Sequence, residues 1–362
     1  MNKRNSTTGF AIALAWPATF CKEPGSWYDP VNRWLGISRN NYYRAGHAAL
    51  VLIDREELKC HYFDFGRYHA PFQHGRVRGA ITDHDLKMRT EPRISANGRS
   101  IENLDEILTE LQHNAACHGE GPLHASYTRI DFARAFDKVL SMQETGPIPY
   151  GPFVPGGSNC SRFVHTAIVT GKPAWSDIFR LKYFMPFTPT PLSNVHALKH
   201  KKVVPVMREG VPFFPARPLS KEELGTTLPA PVRHPDIPED AQWLSGEGAG
   251  SWFSLRFRDV FLIVTRYAPD GTVECSGMYQ ETVGGSGKVS PSLLQRNYSD
   301  FRLDHPSNCK EVALLYQGVR LRFERPELLH KFPAHQLCIA SGVDFPAGKS
   351  RECPVYATAR IG

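Results

Sequence analysis

The chain has 362 residues, of which 41% are hydrophobic and 22% charged, and a formal net charge of +7 at pH 7. A chain of this length is longer than a domain with one ordinary hydrophobic core, so two globular domains are expected. The basic residues are spread along the chain apart from one run at 199–202. Because no basic stripe alternates with aromatic residues and no known motif is present, nucleic acid is excluded as an expected partner. No stretch approaches the roughly 20 apolar residues of a membrane-spanning helix.

The first 18 residues allow two interpretations. Residues 1–4 are polar and basic and residues 10–16 are apolar, an order that imitates a short signal peptide. The alternative is a buried strand that ends at Pro17, and the short apolar run and its polar flank favour the strand. A cytoplasmic location is therefore favoured over export. The eight cysteines show no CxxC pair and no zinc-ligand spacing, so no metal site is predicted.

The next elements predict an α+β domain. Residues 47–54 form a continuous apolar run that suits a strand buried on both faces. Residues 58–65 predict a second strand, and the polar turn at 55–57 joins the two as a β-hairpin. Apolar residues at helical spacing then predict helices at 101–114 and 131–143.

A third helix begins at a cysteine. Its predicted apolar face has the spacing i, i+3, i+4, i+7 and i+8, and Ser158 and Asn159 just before it are suitable N-cap residues. The cysteine therefore falls in the first turn, where the helix dipole and free N–H groups favour the thiolate, which is the nucleophilic form. The alternative is a buried structural cysteine. The residues of the predicted face are Cys160, Phe163, Val164, Ala167 and Ile168.

Composition changes after this helix. Prolines recur from residue 188 to residue 238, which predicts a surface linker. Strand patterns follow and predict a small antiparallel β domain; they cover residues 251–257, 260–267, 272–279, 312–316 and 319–323. The predicted boundaries are a catalytic domain at 1–200, a linker at 201–240 and a β domain at 241–362.

The start of the β domain offers a ligand-binding alternative. Residues 248–253 faintly resemble the Gly-x-Trp opening of lipocalin-like barrels, which can hold a small apolar ligand. The competing interpretation is that Trp252 only fills the core at a strand start.

A cysteine nucleophile needs a base and a group that orients the base. His47 opens a buried strand, and symmetric hairpin pairing, with opposed residues summing to about 111 or 112, sets it opposite Asp64 or Phe65. His61 is the competing third residue and would lie opposite Leu50 or Val51. A structural alternative for Asp64 is an ion pair with Arg67. His165 would point about 140° away from the helical cysteine, so it is set aside.

Two other segments contain similar residue types. Asn308 and Cys309 repeat the Asn-Cys pair, but a strand pattern follows them, which favours a structural role. Residues 113–120 crowd histidine, cysteine and glutamate at a predicted helix end, and a loop is favoured there over a metal site.

The order of these features resembles the circularly permuted NlpC-type papain-like proteins, which include the lecithin:retinol acyltransferase-like group. In those families the histidine precedes the cysteine, as His47 precedes Asn159-Cys160-Ser-Arg-Phe-Val164 here. Asp64 falls where the third polar residue is expected, although the acyltransferase-like members carry a second histidine there. The resemblance covers roughly residues 9 to 200. The chain is also similar to an uncharacterised bacterial group with Gly-His-Ala-Ala, Tyr-x-Asp-Phe-Gly-Arg-Tyr and Ser-Asn-Cys-Ser-Arg-Phe-Val.

The resemblance implies a permuted papain-like α+β domain in which an antiparallel sheet packs on helices. It also implies a cysteine-dependent hydrolase or acyltransferase that cleaves an amide or ester bond through a thioester. Cys160 would be the nucleophile, His47 the general base and Asp64 the orienting group, with no cofactor and no metal. The substrate would be a peptide, a lipid or another acyl compound, and no substrate-binding residues are predicted. The alternative is a non-catalytic ligand-binding module that uses the same cleft and the β domain.

Overall fold

A computed structural model describes residues 7–206, 215–258, 261–282 and 300–326. The chain divides into two compact units. The first unit is Met1–Val232 with Ser245–Ser251, and the second is Arg233–Leu244 with Trp252–Gly362.

The first unit is a mixed α+β structure. Its strands are β1 (Gly9–Trp16), β2 (Cys21–Lys22), β3 (Ser38–Arg39), β4 (Tyr42–Tyr43), β5 (His47–Asp54), β6 (Lys59–Gly66), β7 (His74–Gly79), β8 (Leu123–Ile130), β9 (Ile148–Pro149) and β10 (His200–Val204). Its helices are α1 (Asp29–Trp34), α2 (Leu104–His113), α3 (Phe132–Glu144), α4 (Cys160–Thr170), α5 (Trp175–Tyr183), α6 (Pro191–Ala197) and α7 (Lys221–Leu224), with 3₁₀ turns at His84–Leu86 and Ala115–Cys117.

Seven strands form one antiparallel sheet in the order β10-β8-β1-β5-β6-β7-β9, and β2, β4 and β3 form a small separate sheet. One face of the large sheet packs against α3, α4 and α6, and the other face covers the apolar side of α2. The predicted antiparallel sheet packed on helices is therefore confirmed.

Strand β1 lies inside the sheet, and all eight of its residues are buried. It pairs with β5 on one side and β8 on the other. Strand is thus the correct interpretation of residues 9–16, since such a strand must be apolar on both faces. The predicted helices also form, with small differences at their ends: α2 covers Leu104–His113 and α3 covers Phe132–Glu144.

The Pro-rich segment contains more regular structure than a surface linker. Helix α6 begins at Pro191 under a Thr190 capping box. The basic run that follows forms β10, which pairs with β8 as an edge strand of the large sheet. Lysines are common on edge strands because they discourage pairing with other chains, and so the run is polar although it belongs to the sheet.

The second unit is an antiparallel sheet in the order β11-β12-β13-β14-β17-β16-β15. The Gln242 side chain bonds the carbonyl of Phe301 and the N–H of Leu303, so the first and last strands approach one another and the sheet nearly closes into a barrel. The predicted small β domain is confirmed as a fold. Its strands are β11 (Gln242–Leu244), β12 (Ser251–Arg258), β13 (Phe261–Tyr267), β14 (Val273–Glu281), β15 (Arg302–Asp304), β16 (Glu311–Tyr316) and β17 (Val319–Glu324).

Among the helices of the described ranges, none has the length and apolar character needed to cross a membrane.

Candidate active site

Cys160 lies at the first position of α4, at one end of the large sheet. Asn159 caps the helix: its side-chain oxygen accepts a hydrogen bond from the N–H of Arg162 at 2.8 Å. The Cys160 side chain is buried against the core and only 8% of the residue is exposed. The first N–H groups of a helix have no intrahelical partner, so the thiol stands beside free donors and the positive end of the helix dipole.

The Pro- and Gly-rich loop before α4 is fixed by hydrogen bonds. Ser158 donates its N–H to the Pro149 carbonyl at 2.9 Å and accepts from the N–H of Gly151 at 3.0 Å. The Arg162 guanidinium reaches back from the helix to the carbonyls of Gly157 and Pro152. The loop and the first turn of the helix therefore form one hydrogen-bonded unit around the thiol.

His47 is the first residue of β5 and is 96% buried, since only 4% of its surface is exposed. Its imidazole stacks on Trp16, with ring centroids 6.0 Å apart, and meets the edge of Tyr68 at 6.2 Å. Gly46 precedes it with φ of +72°, and an added Cβ there would approach the Trp16 carbonyl and the Pro191 ring. The chain can therefore make this close entry to the strand only with glycine.

The structure brings His47 and Asp64 together, but not in the predicted register. Ala49 pairs directly with Asp64, and Leu52 pairs with His61. The turn takes residues 55–58 rather than 55–57, with Leu58 in the left-handed region at φ of +51°. The symmetric pairing was therefore wrong by at least one residue, and the two side chains meet on the diagonal of the ladder.

The contact between these side chains is through Nε2. His47 Nε2 lies 3.4 Å from Asp64 Oδ2, longer than a typical N–H···O bond, and both side chains are almost fully buried. Cys160 is the second group that interacts with the imidazole.

Asp64 is also half of a buried ion pair with Arg78. Arg78 Nε donates to Oδ1 at 2.9 Å and a terminal nitrogen of the same side chain donates to Oδ2 at 2.5 Å. The Tyr62 hydroxyl donates to Oδ2 at 3.1 Å. The structural alternative, an ion pair between Asp64 and Arg67, is wrong, because Arg67 pairs with Glu247 at 2.8 Å. Strand β7 rather than the adjacent loop provides the cation.

Sequence reasoning missed Arg78 and Tyr68. The Arg78 guanidinium lies 4.0 Å from the centroid of the Tyr68 ring, and Tyr68 in turn contacts His47. Arg78 occurs in a polar strand, His74–Gly79, which from sequence resembles a solvated surface strand. The only local signal is that Arg76 and Arg78 are two residues apart, so they lie on the same face of the strand. Both are buried.

The competing histidines lie elsewhere. His61 is half-buried between Phe132 and Phe136, on the face of β6 opposite to Asp64. His165 bonds the carbonyl of Leu181 through Nε2 at 3.0 Å, as its predicted direction around the helix requires.

The charges of the site favour a thiolate–imidazolium pair. Burial lowers the pKa of His47, but the interactions with the Asp64 carboxylate and with Cys160 outweigh it and raise the pKa to about 9. Burial raises the pKa of Cys160, but His47, the Ala48 N–H and the Ser161 hydroxyl together lower it below its ordinary value. For Asp64, burial opposes ionisation, yet Arg78 and His47 hold its pKa well below the usual range.

The other cysteines of the first unit do not share the lowered pKa of Cys160. Burial raises the pKa of the Cys21, Cys60 and Cys117 thiols to about 12 in each case. Cys309 comes before β16 rather than a helix, and Asn308 accepts the N–H groups of Lys310 and Glu311 in a turn. The structural role predicted for that Asn-Cys pair fits this geometry.

The 113–120 segment is a helix end followed by a turn. His113 is the last residue of α2, and its Nδ1 bonds the Thr109 carbonyl at 2.8 Å. His118 stacks on Tyr68 with ring centroids 4.8 Å apart. Within the described ranges, no group of three or more His, Cys, Asp or Glu side chains is arranged to hold a metal ion.

Comparison with known proteins relates the two parts of the chain to different families. Residues 11–176 match the model of a family described as type VI secretion system effector TseH-like. This segment contains His47, Asp64 and Cys160. Residues 241–326 match a second model, described as the DUF6695 C-terminal domain.

A solved structure is similar to about half of the chain. It is a crystal structure of a type VI secretion system effector, TseH, with 18% sequence identity and a TM-score of 0.33, covering 53% of this chain and 87% of the other. A TM-score of this size does not establish a shared fold. No curated protein matches the chain. The circular permutation and the acyltransferase-like order stay predictions.

Proposed function

We propose that this protein is a cysteine-dependent hydrolase or acyltransferase that acts on an amide or ester bond. The observation that carries the proposal is the arrangement of three buried side chains: Cys160 at a helix N-terminus, His47 interacting with it, and Asp64 with Oδ2 at 3.4 Å from His47 Nε2. A nucleophile, a base and an orienting group in this order are the parts that cysteine acyl transfer needs.

The reaction follows from the charges. The Cys160 proton passes to His47, and the thiolate attacks the substrate carbonyl carbon. The resulting oxyanion would be stabilised by N–H groups at the start of α4, including that of Cys160. His47 then gives its proton to the departing amine or alcohol, leaving a thioester on the sulfur. Water or another acceptor, deprotonated by His47, attacks the thioester carbonyl; the C–S bond breaks, the acyl product leaves, and His47 gives its proton to the leaving thiolate.

The domain organisation is part of the proposal. Residues 1–200 would carry catalysis, residues 201–240 would connect, and residues 241–362 would form a separate β domain. The match of residues 11–176 to a TseH-like effector model supports this division. It also favours an exported effector over the cytoplasmic location that the strand interpretation of residues 1–18 favoured. The papain-like, circularly permuted relationship remains part of the proposal.

The first test measures the reactivity of the Cys160 thiol. We expect iodoacetamide to label Cys160 rapidly below pH 7, because the imidazolium keeps the thiolate ionised, and peptide mass mapping separates it from the other cysteines. Labelling should not rise further until the pH nears about 9, where His47 loses its proton. In His47→Ala the profile should shift toward the free thiol value of about 8.5.

His61→Ala is the matched control, since this histidine lies on the opposite face of β6. It should keep the rapid labelling of wild type. Slow labelling of Cys160 with an ordinary thiol profile in wild type and in His47→Ala would contradict the catalytic proposal and favour a binding module. A positive result justifies screening amide and ester substrates.

A further inference from the structure

Helix α5 and the segment after it carry an exposed aromatic face. Its five members are on the surface although large aromatic side chains are usually buried. Their exposed fractions are 76% for Trp175, 39% for Phe179, 71% for Tyr183, 73% for Phe184 and 92% for Phe187. With about 200 Å² for each aromatic side chain, the exposed area is on the order of 700 Å², larger than the apolar patches of most monomeric proteins.

The aromatic face is a defined surface rather than a group of separate side chains. Trp175, Phe179 and Tyr183 are spaced i, i+4 and i+8, so they line one side of α5. Their rings contact in sequence, with centroids 5.4 Å apart for Trp175 and Phe179 and 5.0 Å apart for Phe179 and Tyr183. Phe184 joins them at 5.7 Å from Phe179.

The opposite side of α5 fixes this orientation. Leu181 is buried in the core, and the buried Asp177 carboxylate accepts a hydrogen bond from the Thr128 hydroxyl at 2.6 Å. Arg180 Nε donates to the Ala197 carbonyl at 2.6 Å, which ties α5 to the end of α6. The helix therefore cannot turn its aromatic side inward without breaking buried polar contacts.

The chain segment that carries the aromatic face is strongly basic, although Arg180 pairs with Asp177 and Lys202 with Asp105. Residues 172–202 contain six lysines and arginines but one acidic residue, Asp177, which is buried. This short segment thus has a net charge of +5 out of +7 for the whole chain. The cations that are exposed include Lys172, Lys182, Lys199 and Lys201.

We propose that the aromatic face is a docking surface for an anionic phospholipid bilayer. Tryptophan and tyrosine favour the membrane–water interface, where the ring is partly buried among lipid and the polar edge stays wet. Lysines next to such a surface are attracted to anionic headgroups. The combination of an exposed aromatic helix face and exposed lysines in the same segment fits a lipid surface better than a protein groove, which would need complementary shape. The proposal does not depend on chemistry at Cys160.

Vesicle sedimentation tests this docking surface with the full-length protein. We expect wild type to sediment with vesicles of equal phosphatidylcholine and phosphatidylglycerol, and at least tenfold more weakly with phosphatidylcholine alone. The double variant Trp175→Ser, Phe187→Ser should bind the mixed vesicles at least tenfold more weakly than wild type. Lys199→Glu with Lys201→Glu should weaken binding in the same direction.

The matched control is Trp27→Ser with Trp34→Ser, which removes two tryptophans that are 77% and 83% exposed but lie outside residues 172–202. It should bind like wild type. Thermal unfolding and the rate of Cys160 alkylation check that each variant folds, and they separate this proposal from the proposed catalysis. Failure of wild type to bind mixed vesicles would overturn the inference, and so would equal binding by the aromatic variant or an equal loss in the control.

Discussion

At the scale of single residues, Asp64 serves two cations at once. It pairs with Arg78 through two hydrogen bonds and lies 3.4 Å from the imidazole of His47. A buried carboxylate is costly unless it is paired, so Arg78 allows an ionised group to remain behind the imidazole. The arrangement supplies a negative charge to His47, and both residues are almost inaccessible to solvent.

Replacing Asp64 with asparagine should reduce both stability and thiol reactivity. Arg78 would become a buried cation without a counter-charge, which costs about 3–5 kcal/mol of unfolding free energy. The pKa of His47 should fall because it loses its carboxylate partner, and Cys160 labelling below pH 7 should then slow. Urea unfolding and the pH profile of alkylation measure the two effects.

Tyr62→Phe is the control for this substitution. It removes one hydrogen bond to Asp64 but no charge, so the expected loss is about 1 kcal/mol and the alkylation profile should be kept. An Asp64→Asn protein with wild-type labelling below pH 7 would show that the carboxylate does not orient or charge His47.

The sequence indicated Cys160, His47 and Asp64 but not Arg78, and the reason is physical. A cysteine at a helix start and a histidine at a strand start are local patterns, which neighbouring residues reveal. An arginine in a short polar strand has the same pattern whether it is solvated or buried. Only the packing of β7 against β6 makes Arg78 an internal residue.

At the scale of elements, helix α4 connects local sequence to chemistry. Asn159 closes the first turn of the helix, and the next residue along the chain is the thiol. Helix capping by a side-chain oxygen typically contributes about 1 kcal/mol. Here the same hydrogen bond also fixes the backbone on which Cys160 stands.

Asn159→Ala should therefore affect stability and reactivity together. We expect a loss of about 0.5–2 kcal/mol from the missing cap and slower alkylation of Cys160, because the first turn frays. Asp131→Ala is the matched control, since Asp131 caps α3 by the same kind of bond to the N–H of Arg134. It should lose similar stability with unchanged labelling. If both variants label equally fast, the cap does not position the thiol.

Most elements could be predicted because their signals are local. Strand β1 and helix α4 begin where their patterns begin. Two features could not be predicted. Strand β10 pairs with β8, which lies about 75 residues earlier. Its lysines and the prolines around it do not resemble a strand pattern. The hairpin turn is one residue longer than its polar residues 55–57 predict, because Leu58 also belongs to it. Leu58 adopts a left-handed conformation that leucine rarely takes.

At the scale of the whole molecule, a distant segment completes the first unit. Residues 245–251 belong to it although residues 233–244 and those from 252 onward belong to the second. Glu247 pairs with Arg67 at 2.8 Å and accepts the N–H of Gln73 at 3.0 Å, and Ser251 bonds His69 at 2.7 Å. The segment thus anchors both neighbours of Tyr68, the ring that meets the edge of His47. No local pattern could reveal such a connection.

Glu247→Gln should destabilise the first unit selectively. The amide keeps the shape of the side chain but leaves the buried Arg67 charge without its partner, at an expected cost of about 3–5 kcal/mol. Labelling of the buried Cys117 against urea reports unfolding of the first unit, and labelling of Cys275 reports the second. We expect the midpoint for Cys117 to fall and that for Cys275 to stay. Asp240→Asn, which breaks an exposed pair with Arg256, should change the unfolding free energy of either unit by no more than about 1 kcal/mol and leave both midpoints nearly unchanged. An unchanged midpoint for Cys117 in Glu247→Gln would mean that residues 245–251 rest on the first unit without stabilising it.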